Sequence, residues 1–215
     1  MSLKTAAIEA NPDFPCIDAT DIAQIERVLR DMDWFGDGES IQDVAKAGEG
    51  NMNLTLRVTT NCRTAILKQA RPWVEKYDHI AAPWDRVLFE QGFYQRVQSI
   101  PDVAARMPAI YGSDPSARVL LLEDLGEAAD FTDLYRGGAM EHYDIVSLAA
   151  YLRALHANTR GQPDPEFENR EMRALNHTHI FDVPLMPDNG LELEVHEPGL
   201  QAAADAANLD AGFCN

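Results

Sequence analysis

The chain has 215 residues, of which 46% are hydrophobic and 25% are charged, and both shares are ordinary for a soluble globular protein. Its net charge of −17 disfavours nucleic acid and anionic membranes as partners, because an acidic surface repels phosphate groups. No apolar run approaches the roughly 20 residues that a membrane-spanning helix needs.

Cysteine usage and the N-terminus indicate the cellular compartment. The three cysteines, Cys16, Cys62 and Cys214, are far apart and include no Cys-x-x-Cys pair, so neither a disulfide framework nor a zinc site is predicted. The first residues lack the apolar stretch of a secretory signal. We therefore expect a cytoplasmic protein without a metal site among these residues. The sequence does not indicate an oligomeric state.

The first predicted element is a helix from Asp18 to Trp34, preceded by a lead-in without a clear pattern; together they make up a segment 1–37. Asp18 or Thr20 can cap the start of this helix. Its apolar residues fall on one face at helical spacing. They are Ile22, Ile25, Val28 and Leu29.

Three strand-like runs follow, at 41–47, 52–59 and 64–69. In the second run Leu54, Leu56 and Val58 alternate with polar residues, which is typical of a half-buried strand. Short turns separate the runs. The simplest interpretation is a meander of three antiparallel strands.

A helix is predicted next, opened by Pro83 and running to about Ser99. Two further strands are predicted at 107–111 and 118–122, with a turn at 112–115 between them.

The character of the chain changes after Leu125. From Phe131 onward the pattern is helical, most clearly from Asp144 to Asn158. We therefore predict an α+β fold with a sheet and one helix over 38–125 and a helical part over 126–215.

A glycine-bearing turn, Gly48-x-Gly50-Asn51-x-Asn53, lies between two predicted strands. This placement excludes the dinucleotide fingerprint and the Walker-type phosphate loop, because both of those open a helix. Two interpretations remain open. The turn is an ordinary hairpin connection, or its backbone N–H groups approach the phosphates of a nucleotide closely because glycine has no Cβ.

Two charged residues follow in an order that suggests nucleotide binding. Lys68 lies near the end of an apolar strand, and Glu90 lies in the next predicted helix. Each has an ordinary interpretation, the lysine on an exposed sheet face and the glutamate as a solvated charge. In the functional interpretation, the ammonium of Lys68 binds phosphate while Glu90 holds it in place.

The run Glu123-Asp124-Leu125 follows the last predicted strand. It is either a plain exit from the strand or a hinge whose backbone groups bind the edge of an adenine.

Taken in order, these motifs resemble the N-terminal lobe of the aminoglycoside phosphotransferase superfamily, and in particular its methylthioribose-kinase-like branch. The resemblance covers about residues 38–205. The helix that ends at His156 is similar to the first long helix of the family's C-terminal lobe. The matching stretches are Gly48 to Leu54, Ile66 to Ala70 followed by Pro72, Trp84 to Arg86 with Glu90, and Leu122 to Leu125.

The resemblance implies a protein-kinase-like fold that binds ATP and phosphorylates a hydroxyl group of a small molecule. It implies that the glycine turn covers the phosphates, that Lys68 pairs with Glu90, and that the run after the last strand holds the adenine. The implied ATP-binding residues are Gly48, Gly50, Asn51, Asn53, Lys68, Glu90, Glu123, Asp124 and Leu125.

The family's catalytic loop contains His-Gly-Asp, and this sequence has no such tripeptide. The catalytic base is therefore expected beyond Asn215, and Mg²⁺ binding is expected only in the complete enzyme. We expect the 215 residues to be a truncated form, inactive by itself. The alternative is a non-catalytic nucleotide-binding or protein-interaction module built on a degenerate kinase lobe.

Overall fold

A computed structural model describes residues 2–48, 50–127, 130–162, 164–186 and 189–209. The chain forms two compact units, Met1–Glu168 and Asn169–Asn215. The first unit holds the sheet. Its elements are α1 (Leu3–Ala10), α2 (Ile22–Asp31), β1 (Ile41–Lys46), β2 (Leu54–Thr60), β3 (Thr64–Gln69), β4 (Trp73–Val74), β5 (Tyr77–Ala81), α3 (Arg86–Val97), α4 (Pro101–Ala104), β6 (Ile110–Asp114), β7 (Val119–Glu123) and α5 (His142–Thr159).

Five strands form one antiparallel sheet in the order β1-β2-β3-β7-β6, and β4 and β5 form a separate hairpin. The predicted meander of β1, β2 and β3 is confirmed. Every element that the structure describes after residue 125 is helical. The α+β class is therefore confirmed as well.

One face of the sheet, which we call the covered face, is closed by α2. Side chains alternate along a strand, so Leu56 and Leu67 lie on this face, paired across β2 and β3. They pack with Ile25 and Leu29 of α2 in one apolar cluster. Burial of such side chains stabilises the fold by about 1.5–3 kcal/mol each.

The opposite face, which we call the α3 face, is covered only in part. Leu120 and Leu122 of β7 pack there against Val87 of α3, and Ile66 and Tyr94 border the cluster. Two cross-strand rows lie on this face. They are Thr55–Lys68–Leu120 and Arg57–Ile66–Leu122. Thr55, Arg57, Ile66 and Lys68 are all half-buried.

Helix α2 begins later than predicted. Its cap is Asp21, whose carboxylate accepts a hydrogen bond from the backbone N–H of Gln24 at 2.9 Å. Asp18 instead accepts hydrogen bonds from Thr20 and forms a local turn ahead of the helix. The choice of Asp18 or Thr20 as the cap is therefore wrong, by three residues and by one residue respectively.

Strand β6 is also displaced from its prediction. It runs over Ile110–Asp114, so Gly112 lies within the strand and pairs with Leu121. The turn comes later because the carboxylate of Asp114 accepts hydrogen bonds from the backbone N–H groups of Ser116 and Ala117. The prediction of a turn that starts at residue 112 is wrong for this reason.

Helix α5 confirms the strong helical pattern, but most of its apolar side chains are exposed. Tyr151 and Leu155 border a cluster with Val97 and Val103 of the preceding helices. Leu148 and Leu152, by contrast, are 46% and 41% exposed. The predicted apolar face is therefore only partly buried.

The second unit is small and helical. It contains α6 (Arg170–His177), α7 (Leu193–His196) and α8 (Leu200–Leu209), with a π-helical turn at Thr178–Asp182. Among the described residues of the whole chain, no helix is both long and apolar enough to cross a membrane.

Candidate functional site

The centre of the site is an ion pair between the sheet and helix α3. Lys68 lies on the α3 face because its neighbours in β3, Leu67 and Gln69, are buried on the covered face. Its Nζ atom is 2.6 Å from Oε1 of Glu90. The two side chains are 25% and 24% exposed, so the ammonium is held in place and still reached by solvent. The sequence-predicted contact is present.

Tyr94 supports this pair from the next turn of α3. Its hydroxyl donates a hydrogen bond to Oε1 of Glu90 at 3.2 Å, the same oxygen that Lys68 contacts. Burial, together with the nearby Glu90 carboxylate, raises the pKa of Tyr94, so the hydroxyl keeps its proton at neutral pH. Glu90 therefore has two donors on one oxygen.

The glycine turn connects β1 to β2 at the end of the sheet where Lys68 lies, since Lys68 pairs with Thr55 near the start of β2. Gly48 has a φ of +68°, in the left-handed region that favours glycine. Gly48 and Gly50 are exposed, and a Cβ atom at either would meet no described atom within 4 Å. The turn therefore presents open backbone to a ligand.

The far end of this turn is fixed to the β4–β5 hairpin and to α3. The backbone oxygen of Asn51 accepts a hydrogen bond from the N–H of Lys76 at 3.0 Å. The side-chain oxygen of Asn53 accepts one from Nε of Arg86 at 2.6 Å. Asn53, which the resemblance places over the phosphates, thus uses that oxygen to attach the turn to α3.

Arg86 is only 7% exposed and makes hydrogen bonds to neutral oxygens alone. Burial lowers its pKa to about 10, which leaves the guanidinium charged at neutral pH. Five hydrogen bonds offset its removal from water. The acceptors are Oδ1 of Asn53 and the backbone oxygens of Met52, Arg71, Trp73 and Pro83.

Arg86 and Glu90 are four residues apart, so they lie on the same side of α3. Arg86 holds the glycine turn, and Glu90 holds Lys68. One helix side thus positions the turn and the ammonium relative to each other.

At the other end of β7 the chain leaves the sheet through Glu123, Asp124 and Leu125. Glu123 is bound to Ala109 by its backbone N–H at 2.8 Å and by its carboxylate, which accepts from the N–H of Ala109 at 3.0 Å. Leu125 is 62% exposed, and its N–H makes no hydrogen bond to any described residue. The chain at Leu125 is therefore open to solvent.

Asp124 is held by Arg57 of β2. Nε of Arg57 donates to Oδ2 of Asp124 at 2.7 Å, and Nη2 donates to Oδ1 at 3.0 Å. Burial raises the pKa of Asp124, but hydrogen bonds from Arg57, Thr64 and the N–H of Gly126 outweigh burial, and the net pKa is lowered. The carboxylate is therefore ionised and paired at neutral pH.

Three contributors to the site were missed from the sequence: Arg57, Arg86 and Tyr94. Arg57 alternates with apolar residues in a strand, which indicates only a solvated face. Its partner lies 67 residues away in sequence, so no local pattern could reveal the contact. The spacing of four between Arg86, Glu90 and Tyr94 was a visible signal that the three share one side of α3.

The described residues include no group of three or more histidine, cysteine, aspartate or glutamate side chains arranged to hold a metal ion.

No family model matches the chain, and no curated protein matches it with significant similarity.

Proposed function

We propose that the α3 face binds ATP, and that the first unit acts as the nucleotide-binding lobe of a protein-kinase-like small-molecule phosphotransferase. The observation that carries the proposal is the ion pair of Lys68 with Glu90. An ammonium that is held by a carboxylate, yet reached by solvent, is suited to bind the phosphate oxygens of a nucleotide.

The rest of the α3 face supports the same ligand. The glycine turn offers exposed backbone at the end of the sheet where Lys68 lies. The N–H of Leu125, which no described residue accepts, follows the opposite end of β7 and can donate to a base. Lys68 pairs with Leu120, five residues before Leu125, so the two sites are at most about 17 Å apart along the chain. A nucleotide can span this distance with its phosphates at Lys68 and its base at Leu125.

In the proposed reaction a substrate hydroxyl attacks the γ-phosphorus of ATP, the bond to the bridging oxygen of ADP breaks, and the hydroxyl proton passes to a base. The acceptor is a small molecule whose class these residues do not select. Because the sequence contains no His-Gly-Asp, we assign no base here and expect these 215 residues to bind ATP without turning it over.

Calorimetric titration with ATP tests the proposal. Lys68→Met removes the ammonium and should weaken binding by about 10- to 100-fold, which corresponds to about 1.5–3 kcal/mol for a hydrogen bond to a charged group. The matched control is Lys4→Met, because Lys4 lies in α1 with its ammonium 5.8 Å from the Trp73 ring centre. Equal ATP affinity in wild type and Lys68→Met would disprove the role of Lys68.

A second candidate is a non-catalytic protein-interaction module. The exposed apolar side chains of α5, including Leu148 and Leu152, favour it. Calorimetric titration of the purified chain with ATP separates the two, because the nucleotide-binding lobe should bind ATP and the interaction module should not. Metal-dependent turnover would exclude the module, and it would also contradict the expectation of binding alone.

A further inference from the structure

The link from Asp124 to Gly126 is held at both ends by one side chain. Arg57 makes two hydrogen bonds to the carboxylate of Asp124, and its Nη2 atom also donates to the backbone oxygen of Gly126 at 3.0 Å. The N–H of Gly126 donates in turn to Oδ1 of Asp124 at 3.0 Å. Leu125, whose N–H has no hydrogen-bond partner among the described residues, lies between the two fixed points.

We infer that Arg57 is a positioning residue that fixes this link so that the N–H of Leu125 can read a purine base. The inference rests on the proposed function. We therefore expect the preference for ATP over a triphosphate without a base to depend on Arg57. Arg57 does not need to contact the nucleotide for this effect.

The contact has the geometry needed to fix a backbone segment. A guanidinium presents its donors in a rigid planar fork, and a carboxylate that accepts two of them is fixed in direction as well as distance. The Asp124 side chain is only 5% exposed. Without Arg57 this carboxylate would lose its charged partner while still buried, so the link would have to move outward toward water.

The place of Arg57 on the sheet separates its effect from that of Lys68. Arg57 lies in one cross-strand row with Ile66 and Leu122. Lys68 is two residues further along β3, a separation of about 7 Å. Arg57 therefore acts at the end of the α3 face that the base occupies, and Lys68 acts at the phosphate end.

The test compares ATP with inorganic tripolyphosphate, which carries the phosphates and no base, as ligands of the whole chain. Arg57→Met should weaken ATP binding by about tenfold through loss of the hydrogen bond at Leu125. Tripolyphosphate binding should stay within about twofold, because Lys68 and the glycine turn are unchanged. The ratio of the two affinities is the readout, since a general loss of stability would not change it.

The chain offers a matched control in Arg63→Met. Arg63 also binds a buried carboxylate, that of Glu39, but its ring contact is with Trp34, which packs in the cluster of the covered face. This variant should keep the wild-type ratio of ATP to tripolyphosphate affinity. Asp124→Asn removes the carboxylate charge from the same ion pair and should lower the ratio of ATP to tripolyphosphate affinity as Arg57→Met does. This second variant tests the role of Arg57 if Arg57→Met fails to fold.

The outcomes separate the two proposals. If wild type binds neither ligand, the proposed function fails, and the role of Arg57 fails with it. If wild type prefers ATP and the Arg57 and Asp124 variants keep that preference, only the role of Arg57 is overturned.

Discussion

The two faces of the five-stranded sheet use the same strands for different purposes. On the covered face, Leu56, Val58 and Leu67 are fully buried against α2. On the α3 face, the residues between them are half-buried and include the cations Arg57 and Lys68, each held by a carboxylate. A charge is costly to hold among closely packed apolar groups, so β2 and β3 place their buried apolar side chains on one face and their ion pairs on the other.

The comparison indicates where stability and binding reside. Removing a side chain from the covered face leaves a cavity, and this should cost stability. Removing Lys68 from the α3 face should cost ligand binding more than stability, because partly exposed ion pairs such as that of Lys68 with Glu90 contribute little to folding.

The largest effect on folding is expected for Leu67→Ala. This side chain is fully buried on the covered face, so its truncation should lower the free energy of unfolding by about 2–5 kcal/mol. The matched variant is Ile66→Ala, one residue earlier on the α3 face, where a half-buried side chain should cost about 1–2 kcal/mol. Urea unfolding measures the free energy of unfolding of both variants. Equal losses in Leu67→Ala and Ile66→Ala would show that the two faces do not differ in their contribution to stability.

A smaller loss is expected for Arg86→Met, which should lower the free energy of unfolding by about 1–3 kcal/mol because buried oxygens lose their donor. It should also weaken ATP binding, because the glycine turn is released from α3. Arg96→Met on the same helix is the control, since Arg96 forms a half-exposed ion pair with Asp164. It should cost less than about 1 kcal/mol. Urea unfolding and ATP titration measure both variants. If Arg86→Met and Arg96→Met had the same free energy of unfolding and the same ATP affinity, the role of Arg86 would be refuted.

A further effect is a pH dependence that comes from Glu39. A hydrogen bond from Arg63, opposed by burial and aided by Thr60, lowers the pKa of Glu39 from 4.5 to about 2. Because the folded-state pKa is the lower one, the stabilisation is complete above pH 4.5 and is lost as the pH falls toward 2.

The free energy of unfolding of Glu39→Gln should therefore fall less than that of wild type between pH 4.5 and pH 2. Urea unfolding followed by far-ultraviolet circular dichroism measures this quantity. Glu26→Gln, which alters the more exposed pair with Arg30, is the control and should follow the wild-type curve. The assignment to Glu39 is wrong if all three proteins lose stability in parallel.

The sequence predicts the elements whose side-chain pattern is regular. Alternation of Leu54, Leu56 and Val58 predicts β2, and the helical spacing of apolar residues predicts α5, because burial on one face imposes these periods. The order of the motifs, through the family resemblance, also leads to the contact between Lys68 and Glu90.

Elements that depend on distant contacts are not predictable in this way. Helix α1 carries little apolar pattern, and the lead-in prediction missed it. The β4–β5 hairpin was missed because its two strands are short and Trp73, buried in the first, has no alternating neighbours to mark it. Arg57 meets Asp124 only after β2 and β7 have come together with β3 between them, so this contact is a property of the fold and not of any local segment.

The most direct test of the central claim is a titration of the ¹⁵N-labelled chain with a non-hydrolysable ATP analogue, followed by amide chemical shifts. The account predicts the largest changes at Gly48, Gly50 and Leu125, with smaller changes along β3 near Lys68. Shifts confined to α5 or to the second unit, with those amides unchanged, would contradict it.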